Sequence, residues 1–459
     1  MMLRDWQFNP QTLSVLLQMA LPMVVSQGAF ALMIFTDRWF MAQISPTHMA
    51  AALGGGVAWY FSISLPNGIL AYATALVAQY MGAGEDGKCS KVITQGLILS
   101  VACMPIFFVL AFIGKGMFAA MEHDPAQVVE EETYYVIMTL AGSLMMARTC
   151  LSCFFSGIGK TRTVMICDVA GVLFNIPLTW MLVFGQFGLP ALGIAGAAFG
   201  SVASMVFTMT LYLAFYLAKD KREKFFIGDS LVFDAGISRR YIRLGFPSGM
   251  EMFLNIAAFN LFLLMFQSYG IPEAASATIV FNWDILSFVP LLGLNIAIMS
   301  MIGRFVGAGD MTKTNEVTSA GCILGIGYST FLFIFFILFR NQLVEIFIFY
   351  EDQAEEIRSL ARFMMIGLSC YVLLEGILQV ASGVLRGAGD TRWIMFASVS
   401  LHWAMLVAQF FIIKVLDFGP RVSWMGFVLM ILGICAVFVS RLRSNKWRDP
   451  DKLQAVMKE

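Results

Sequence analysis

The feature that most constrains this chain is a series of apolar runs, each long enough to cross a lipid bilayer as a helix. A transmembrane helix needs roughly 20 mostly apolar residues, and breaks in hydropathy divide the 459 residues into twelve such runs. Hydrophobic residues make up 59% of the chain and charged residues 13%, whereas soluble domains average about 45–50% and about 25%. The sequence therefore predicts an all-α integral membrane protein and excludes a soluble enzyme, a disordered chain and a coiled coil.

The placement of charge predicts the orientation of these spans. If both termini are cytoplasmic, most of the 30 Lys and Arg residues fall in cytoplasmic loops and tails. Basic residues hold loops on that side during insertion. We therefore predict a multi-pass protein of the cell inner (plasma) membrane with both termini in the cytoplasm. The predicted spans are residues 14–40, 50–81, 91–117, 127–155, 163–185, 191–218, 241–268, 273–303, 316–340, 356–385, 393–415 and 422–440.

The chain also repeats itself in two halves, with three signals returning at a nearly constant offset. Matching signals fall on the same side of the membrane, so we expect two six-helix lobes related by an axis along the membrane normal, as in many transporters. The repeated signals are Pro22 and Pro247, Gly82-Ala-Gly84 and Gly307-Ala-Gly309, and Gly157-Ile-Gly159-Lys-Thr-Arg162 and Gly387-Ala-Gly389-Asp-Thr-Arg392. The predicted domains are an N-terminal lobe (1–218), a cytoplasmic linker (219–240), a C-terminal lobe (241–440) and a cytoplasmic tail (441–459).

Several kinds of chemistry are disfavoured by the same residues. The Gly-rich loops resemble phosphate-binding motifs, but they follow apolar spans rather than strands, so tight turns explain them better. The eight cysteines lack the spacing of a zinc site or a disulfide framework. Equal numbers of basic and acidic residues argue against a nucleic-acid partner. We predict no enzyme and no cofactor. Because no nucleotide-hydrolysing motif is present, the energy comes either from an ion gradient, with Na⁺ or H⁺ as the coupling ion, or from no source at all.

The most informative residues are acids inside the apolar spans. An ionisable side chain at the centre of a membrane helix costs roughly 2.5–3.5 kcal/mol on insertion scales, so each such residue is a functional hypothesis. The few basic residues inside the spans are too few to pair with all of these acids; Arg148 is the main candidate and could hold one of them in a structural ion pair. The five acids are Asp37, Asp168, Glu251, Asp284 and Glu375.

In the C-terminal lobe the acids predict a site for a cation or proton. Glu251 and Asn255 share a helix face, and Glu375 and Gln379 repeat that spacing. With Asp284 they form a set without a base inside their own spans. Carboxylate oxygens suit hard cations, so Na⁺ could bind at the three acids of this set, as could a proton. A transporter whose acidic site binds either an ion or a cationic substrate, but not both at once, can act as an exchanger.

In the N-terminal lobe we predict a second proton or substrate site. Asp168 and Asn175 lie seven residues apart and share a helix face, and Asp37 lies near the outer end of the first span. A capping role remains open for Asp37, and the sequence does not decide which acid Arg148 would pair with. His402 either relays protons or is packed and hydrogen-bonded.

The chain resembles the multidrug and toxic compound extrusion (MATE) family over roughly residues 10–440. The resemblance implies two six-helix lobes arranged in a V and export of cationic amphipathic compounds in exchange for Na⁺ or H⁺. The matching residues are Leu21-Pro22 with Asp37, the Gly82 and Gly307 loops, Ser156–Arg162 leading to Asn175-Ile-Pro177, Phe187–Ala198, and Leu385–Arg392.

Residue by residue, the resemblance assigns Asp37 to the family's acid of the first span and Asn175 to a polar residue lining the first lobe. Thr179 stands where many members have a second Asn. Glu375 matches the acid that precedes Arg386 in the tenth span. The seventh span departs from the sodium-coupled pattern, because Asn255 occupies the position of the expected acid.

We therefore predict a multidrug efflux antiporter that works by alternating access on small cationic amphipathic substrates. Its expected surroundings are the lipid bilayer, with no nucleic acid and no obligate protein partner. The alternative is a flippase of related fold for lipid-linked oligosaccharides or a polysaccharide precursor, which would be expected to place basic residues in its cavity. A membrane-embedded transferase is disfavoured because no His-centred catalytic pair is evident.

Overall fold

The computed structural model describes residues 7–119, 124–348, 353–444 and 446–458. In these ranges the chain forms helices joined by turns and contains no β-strand, which confirms the all-α class. The predicted domain limits at residues 1 and 459 lie outside the described residues. The α-helices are α1 (Pro10–Ile44), α2 (Pro46–Ala71), α3 (Ala73–Gly82), α4 (Asp86–Ala102), α5 (Met104–Ala119), α6 (Pro125–Leu140), α7 (Gly142–Gly157), α8 (Thr161–Phe184), α9 (Gly193–Tyr216), α10 (Lys219–Lys224), α11 (Ala235–Gln267), α12 (Ile271–Gly307), α13 (Met311–Glu345), α14 (Ala354–Gly387), α15 (Thr391–Phe410), α16 (Pro420–Arg443) and α17 (Pro450–Met457).

The predicted number of membrane spans is confirmed. Eleven helical stretches are long and apolar enough to cross a bilayer, and the bent pair α6–α7 makes a twelfth if it counts as one span. The two helices of that pair meet at an angle of 48°. α2 with α3, and α4 with α5, each act as one span, running Thr47–Gly82 and Asp86–Ala119.

The repeated Gly-rich loops end helices in one common way. In each loop the second glycine has a positive φ, between 72° and 85°, which side chains with a Cβ rarely adopt. In each, the backbone N–H of the following residue donates to a carbonyl five residues earlier, at 2.8–2.9 Å, which is the helix-ending Schellman arrangement. These loops are therefore helix caps and not phosphate-binding turns. The four glycines are Gly84, Gly159, Gly309 and Gly389.

The chain divides into two compact units. Unit 1 contains residues 1–20 and 250–457, and unit 2 contains residues 21–249 with the last two residues. α1 and α11 each contribute residues to both units, and in each helix a proline lies close to the division, at Pro22 and Pro247. The predicted lobes and linker stay a prediction.

Within unit 1, α14 is the central helix. It runs parallel to α12, because Ser276 of α12 donates to the Ile357 carbonyl near the start of α14, whereas Gly387 at its end packs on Met299 and Ile302. It also packs against α13 and α16. Within unit 2, the corresponding close pairs are α8 with α9 and α2 with α6. These packed pairs hold the candidate sites.

Candidate ion and substrate sites

Acids of α12 and α14 form the first candidate site. Asp284 and Glu375 are electrostatic neighbours, and the Tyr371 hydroxyl lies beside both. Tyr371 precedes Glu375 by one helical turn, so both side chains leave one face of α14. Asp284 Oδ1, Glu375 Oε2 and the Tyr371 hydroxyl oxygen are buried without a well-formed hydrogen bond to any described residue. Two such carboxyl groups are stable together when a proton or cation neutralises one of them.

Close packing of α13 against α14 fixes the position of Glu375. The next residue, Gly376, donates its backbone N–H to Ser329 Oγ at 3.1 Å. A Cβ atom at Gly376 would run into the carbonyl of Gly325 on α13, so glycine is required at this crossing. Tyr328, beside Ser329, is a further electrostatic neighbour of Glu375. Three helices thus enclose one carboxyl group.

Glu251 has a different partner. Arg386 Nη2 donates to Glu251 Oε2 at 2.9 Å, and the two residues form an ion pair. Our expectation that the three spans of these acids contain no base is therefore wrong, because Arg386 of the tenth span pairs with Glu251. The reason is the length of α14, which continues to Gly387 and carries Arg386 on the helix rather than in a loop.

The structure does not bring all three C-terminal acids together. Arg386 follows Glu375 on α14 by three helical turns, which is about 16 Å along the axis, so the Glu251 carboxylate lies well away from Glu375. Among the described residues, no three Asp, Glu, His or Cys side chains converge in the manner of a metal site. A cation at Asp284 and Glu375 would need hydroxyl or carbonyl oxygens as its remaining ligands.

The predicted amides of this lobe hydrogen-bond to neighbouring helices. Asn255 Nδ2 donates to Ser398 Oγ at 2.8 Å. Asn295 Nδ2 donates to the backbone carbonyl of Gln379 at 2.8 Å and to the side-chain Oε1 of Gln379 at 3.3 Å. His402 Nδ1 lies 2.8 Å from the Ser398 carbonyl oxygen, and it must donate because a carbonyl only accepts. These contacts place Asn255 and His402 around one serine of α15.

Asp37 is the candidate acid of unit 2 with a free oxygen. Ser201 of α9 donates to Asp37 Oδ2 at 2.9 Å. Asp37 Oδ1 is buried and has no hydrogen-bond partner within the described ranges. Tyr134 of α6 is an electrostatic neighbour of Asp37. Helices α1, α6 and α9 therefore surround this carboxyl group and leave it able to accept a proton or a cation.

A patch of uncommitted polar atoms lies close to Asp37 on α8. Thr179 packs on Gly200, the residue before the serine that donates to Asp37. Asn175 lies one turn earlier on α8, and both atoms of its amide are buried without a hydrogen bond to any residue that the structure describes. Buried amides normally find partners. Asn175 and Thr179 are thus suited to a polar ligand or water.

Asp168, by contrast, has hydrogen-bond donors at both carboxylate oxygens. Arg148 Nη2 donates to Asp168 Oδ1 at 2.5 Å, Tyr212 donates to the same oxygen at 2.9 Å, and Ser26 donates to Oδ2. A small cavity of about 20 Å³ lies beside the pair, and its lining mixes apolar side chains such as Met33 with the hydroxyl-bearing side chains of Ser204 and Thr208. That volume holds one water molecule. The ion pair that the sequence left open for Arg148 is thus formed with Asp168.

A sixth buried acid, Glu131 of α6, escaped the sequence analysis. Its side chain is fully buried, and Gln127 Nε2 donates to Glu131 Oε1 at 2.9 Å. The carboxylate rests on Gly54 of α2, where a Cβ atom would overlap it. The run of three glycines that begins at Gly54 was the available signal, since it allows another helix to approach closely and leaves room for a side chain.

Other functional neighbours were missed because they come from distant parts of the chain. Tyr371 could have been found, since it lies one turn before Glu375 on a helix that was correctly predicted. Ser201, Tyr212 and Ser26 carry no signal in the sequence. They reach the acids only because α1, α8 and α9 pack together.

A family model, MatE, matches residues 22–181 and 247–408 of the chain. Solved structures with a similar fold include a MOP superfamily transporter from Pyrococcus furiosus Vc1, described as having a binding pocket of reverse polarity that suggests a different function. It shares 18% identity and a TM-score of 0.86, covering 99% of this chain and 100% of that chain.

Two further structures are similar to the same degree. An outward-facing multidrug resistance MATE transporter of the MOP superfamily has 18% identity and a TM-score of 0.86, with coverage of 99% and 100%. A eukaryotic MATE transporter has 17% identity and a TM-score of 0.84, with coverage of 97% and 99%. At these identities the structural likeness is one of fold.

Proposed function

The chain belongs to the MatE family of membrane transporters, and on that premise we propose that it is an antiporter that exports organic cations in exchange for Na⁺ or H⁺. The proposal includes the inner (plasma) membrane and cytoplasmic termini, which the distribution of Lys and Arg supports. Substrates would be small, cationic and amphipathic.

The observation that carries the proposal is the Asp284–Glu375 pair. Each residue has a buried carboxyl oxygen without a hydrogen bond to the described residues, and no basic side chain in those ranges pairs with either carboxyl group. A buried carboxylate is costly unless it is paired. Loading a proton or Na⁺ removes that cost, and so does a cationic substrate bound nearby. Competition between the two is the basis of exchange.

Unit 2 supplies the second acidic site of the proposal. Asp37 keeps one free oxygen and has Asn175 and Thr179 in its vicinity. We assign Asp37 to proton or substrate binding, with Asn175 as a hydrogen-bonding partner. Asp168 is assigned to holding α1, α7, α8 and α9 together, because its oxygens are occupied. Glu251 is assigned to the ion pair with Arg386.

The rival function, a flippase for lipid-linked sugar precursors, has less support. A pyrophosphate substrate needs uncompensated basic side chains, whereas Arg148 and Arg386 are each paired with an acid. The Pyrococcus furiosus transporter, whose binding pocket of reverse polarity is described as suggesting a different function, illustrates that this fold alone does not decide the substrate. The substrate is therefore inferred here from the charge of the candidate sites.

The test is efflux from proteoliposomes loaded with a fluorescent cation such as ethidium, under an imposed Na⁺ gradient or pH gradient. We expect one gradient to drive export, and Glu375→Gln or Asp284→Asn to abolish the driven component because the neutral side chain no longer exchanges ions. Asp417→Asn is the matched control, since Asp417 is exposed and has a positive φ that Asn tolerates. Wild-type rates in Glu375→Gln would contradict the assignment. No movement under either gradient would favour the flippase.

A further inference from the structure

The segment that joins α10 to α11 exposes three consecutive apolar side chains. Leu231, Val232 and Phe233, called here the apolar triplet, are 71%, 64% and 62% exposed. They follow a short 3₁₀ helix, Ile227–Ser230, whose first and last side chains are buried. Three adjacent apolar residues on the outside of a connecting segment are costly in water and call for a partner.

The backbone of the triplet is firmly attached to α4. Gln95 Nε2 donates to the Val232 carbonyl at 3.0 Å, and Gln95 Oε1 accepts from the Asp234 N–H at 3.2 Å. Ser90 Oγ, five residues earlier on α4, donates to the Phe225 carbonyl at 2.6 Å. The segment is thus held in place while its apolar side chains point away from the protein.

The charged residue next to the triplet is already neutralised. Asp234 caps α11 by accepting from the backbone N–H groups of Gly236 and Ile237, each at 3.1 Å, and it forms an ion pair with Lys91 at 3.3 Å. The Ile237 N–H, with Lys91, holds the pKa of Asp234 below its usual value. Residues 230–233 carry no charge. Contact with an apolar phase therefore requires no desolvation of an unpaired ion.

The triplet lies at the edge of the apolar outer surface of α4. Ile98, three residues beyond Gln95, is exposed, and so is Val101. Three residues correspond to about 4.5 Å along a helix axis. α11, which begins directly after the triplet, exposes Ile242 and Phe246 in the same way. In a membrane protein such exposed apolar residues on spanning helices face the lipid.

We propose that the apolar triplet inserts into the bilayer leaflet on its side of the membrane, at the boundary between headgroups and acyl chains. The partner is lipid, because the triplet continues the lipid-facing surface of α4 and α11. The charged sequence of the connecting segment predicts a solvated linker. With the triplet inserted in lipid, the segment is instead a membrane anchor. It fixes the start of α11 relative to the leaflet through Gln95 and Asp234.

The experiment is spin labelling of the full chain in liposomes. Cys370, the exposed cysteine, is replaced by serine, since the other cysteines are buried. A nitroxide is placed at Val232→Cys and, as the matched control, at Asp229→Cys, an exposed polar position of the same segment. Collision rates are measured with oxygen, which concentrates in lipid, and with a nickel chelate, which stays in water.

We expect the ratio of oxygen to nickel collisions at Val232 to exceed that at Asp229 several-fold, and labels at Leu231 and Phe233 to behave like the one at Val232. Equal ratios at Val232 and Asp229 would place the triplet in water and overturn the proposal. Protection from both reagents with an immobilised label would indicate a protein partner or a second copy of this chain, and would also overturn it. Neither outcome depends on transport activity.

Discussion

At the scale of the residue, the six acids of the candidate sites differ in what neutralises them. Asp168 and Glu251 have arginine partners, and Glu131 has a glutamine. Asp37, Asp284 and Glu375 each keep a buried oxygen without a hydrogen bond inside the described ranges. In the proposed mechanism the first kind of acid stabilises the fold, and the second kind exchanges a proton or a cation. The distinction rests on partners and not on residue type.

The ion pair of Arg148 and Asp168 gives a test of this distinction. Asp168→Ala should lower the free energy of unfolding by about 3–5 kcal/mol, because it leaves the Arg148 guanidinium buried and unpaired. The double variant Arg148→Met, Asp168→Leu should recover a large part of that loss. Thermal unfolding in detergent measures both. Asp229→Ala, at an exposed position, should change stability by no more than about 0.5 kcal/mol. A single variant as stable as wild type would show that the pair is not buried in solution.

At the scale of the element, glycines decide where helices end and how closely they pack. The four loop glycines end their helices because they alone accept the positive φ without strain. Gly325 and Gly376 act differently, since they allow α13 and α14 to approach until backbone meets backbone beside Glu375. The repeated sequence motifs predicted the role of the loop glycines. They did not predict the role of Gly325 and Gly376, because that role depends on which helix packs against which.

This crossing gives a prediction at the same scale. Gly376→Ala should destabilise the protein by about 1–3 kcal/mol, because the added methyl group overlaps the Gly325 carbonyl and separates the helices. The same variant should weaken ion-driven efflux, since it shifts the neighbouring Glu375. The control is Gly327→Ala on α13, where the added atom meets open space and helix propensity improves by up to about 1 kcal/mol. Equal thermal stability of the two variants would contradict the close packing.

At the scale of the whole molecule, two helices carry the chain from one compact unit to the other. α1 changes unit after Ala20 and α11 after Gly249, and Pro22 and Pro247 lie close to these points. Proline removes one hydrogen bond from the helix and lets it bend. Each of the two prolines therefore weakens its helix close to the division between the units.

We accordingly predict that Pro247→Ala slows transport without unfolding the protein. If the restored hydrogen bond must break in every cycle, about 1 kcal/mol is added to the barrier, which slows turnover about fivefold. Pro66→Ala is the matched control, because Pro66 lies inside α2 and entirely within unit 2. Efflux rates and thermal stability are measured together. Equal slowing in both variants would argue against a special role for the crossing helices.

Much of this protein follows from its sequence alone. Span number, helical class and the repeated halves depend on hydropathy and on local turn chemistry, both of which act between residues close in the chain. The same is true of the acids at Asp37, Asp284 and Glu375, because any ionisable residue within a long apolar run stands out.

Only the tertiary structure decided which acids are available. Asp168 and Glu251 read like the others in the sequence, but arginines on other helices occupy them. Tyr212, Ser201 and Ser26 reach the acids through helix packing between distant segments, and no spacing predicts that. The exposed side of Leu231 to Phe233 likewise depends on how Gln95 of α4 holds the segment. Contacts of this kind are set by shape and by the partner helix, so the pattern of residues along one helix does not contain them.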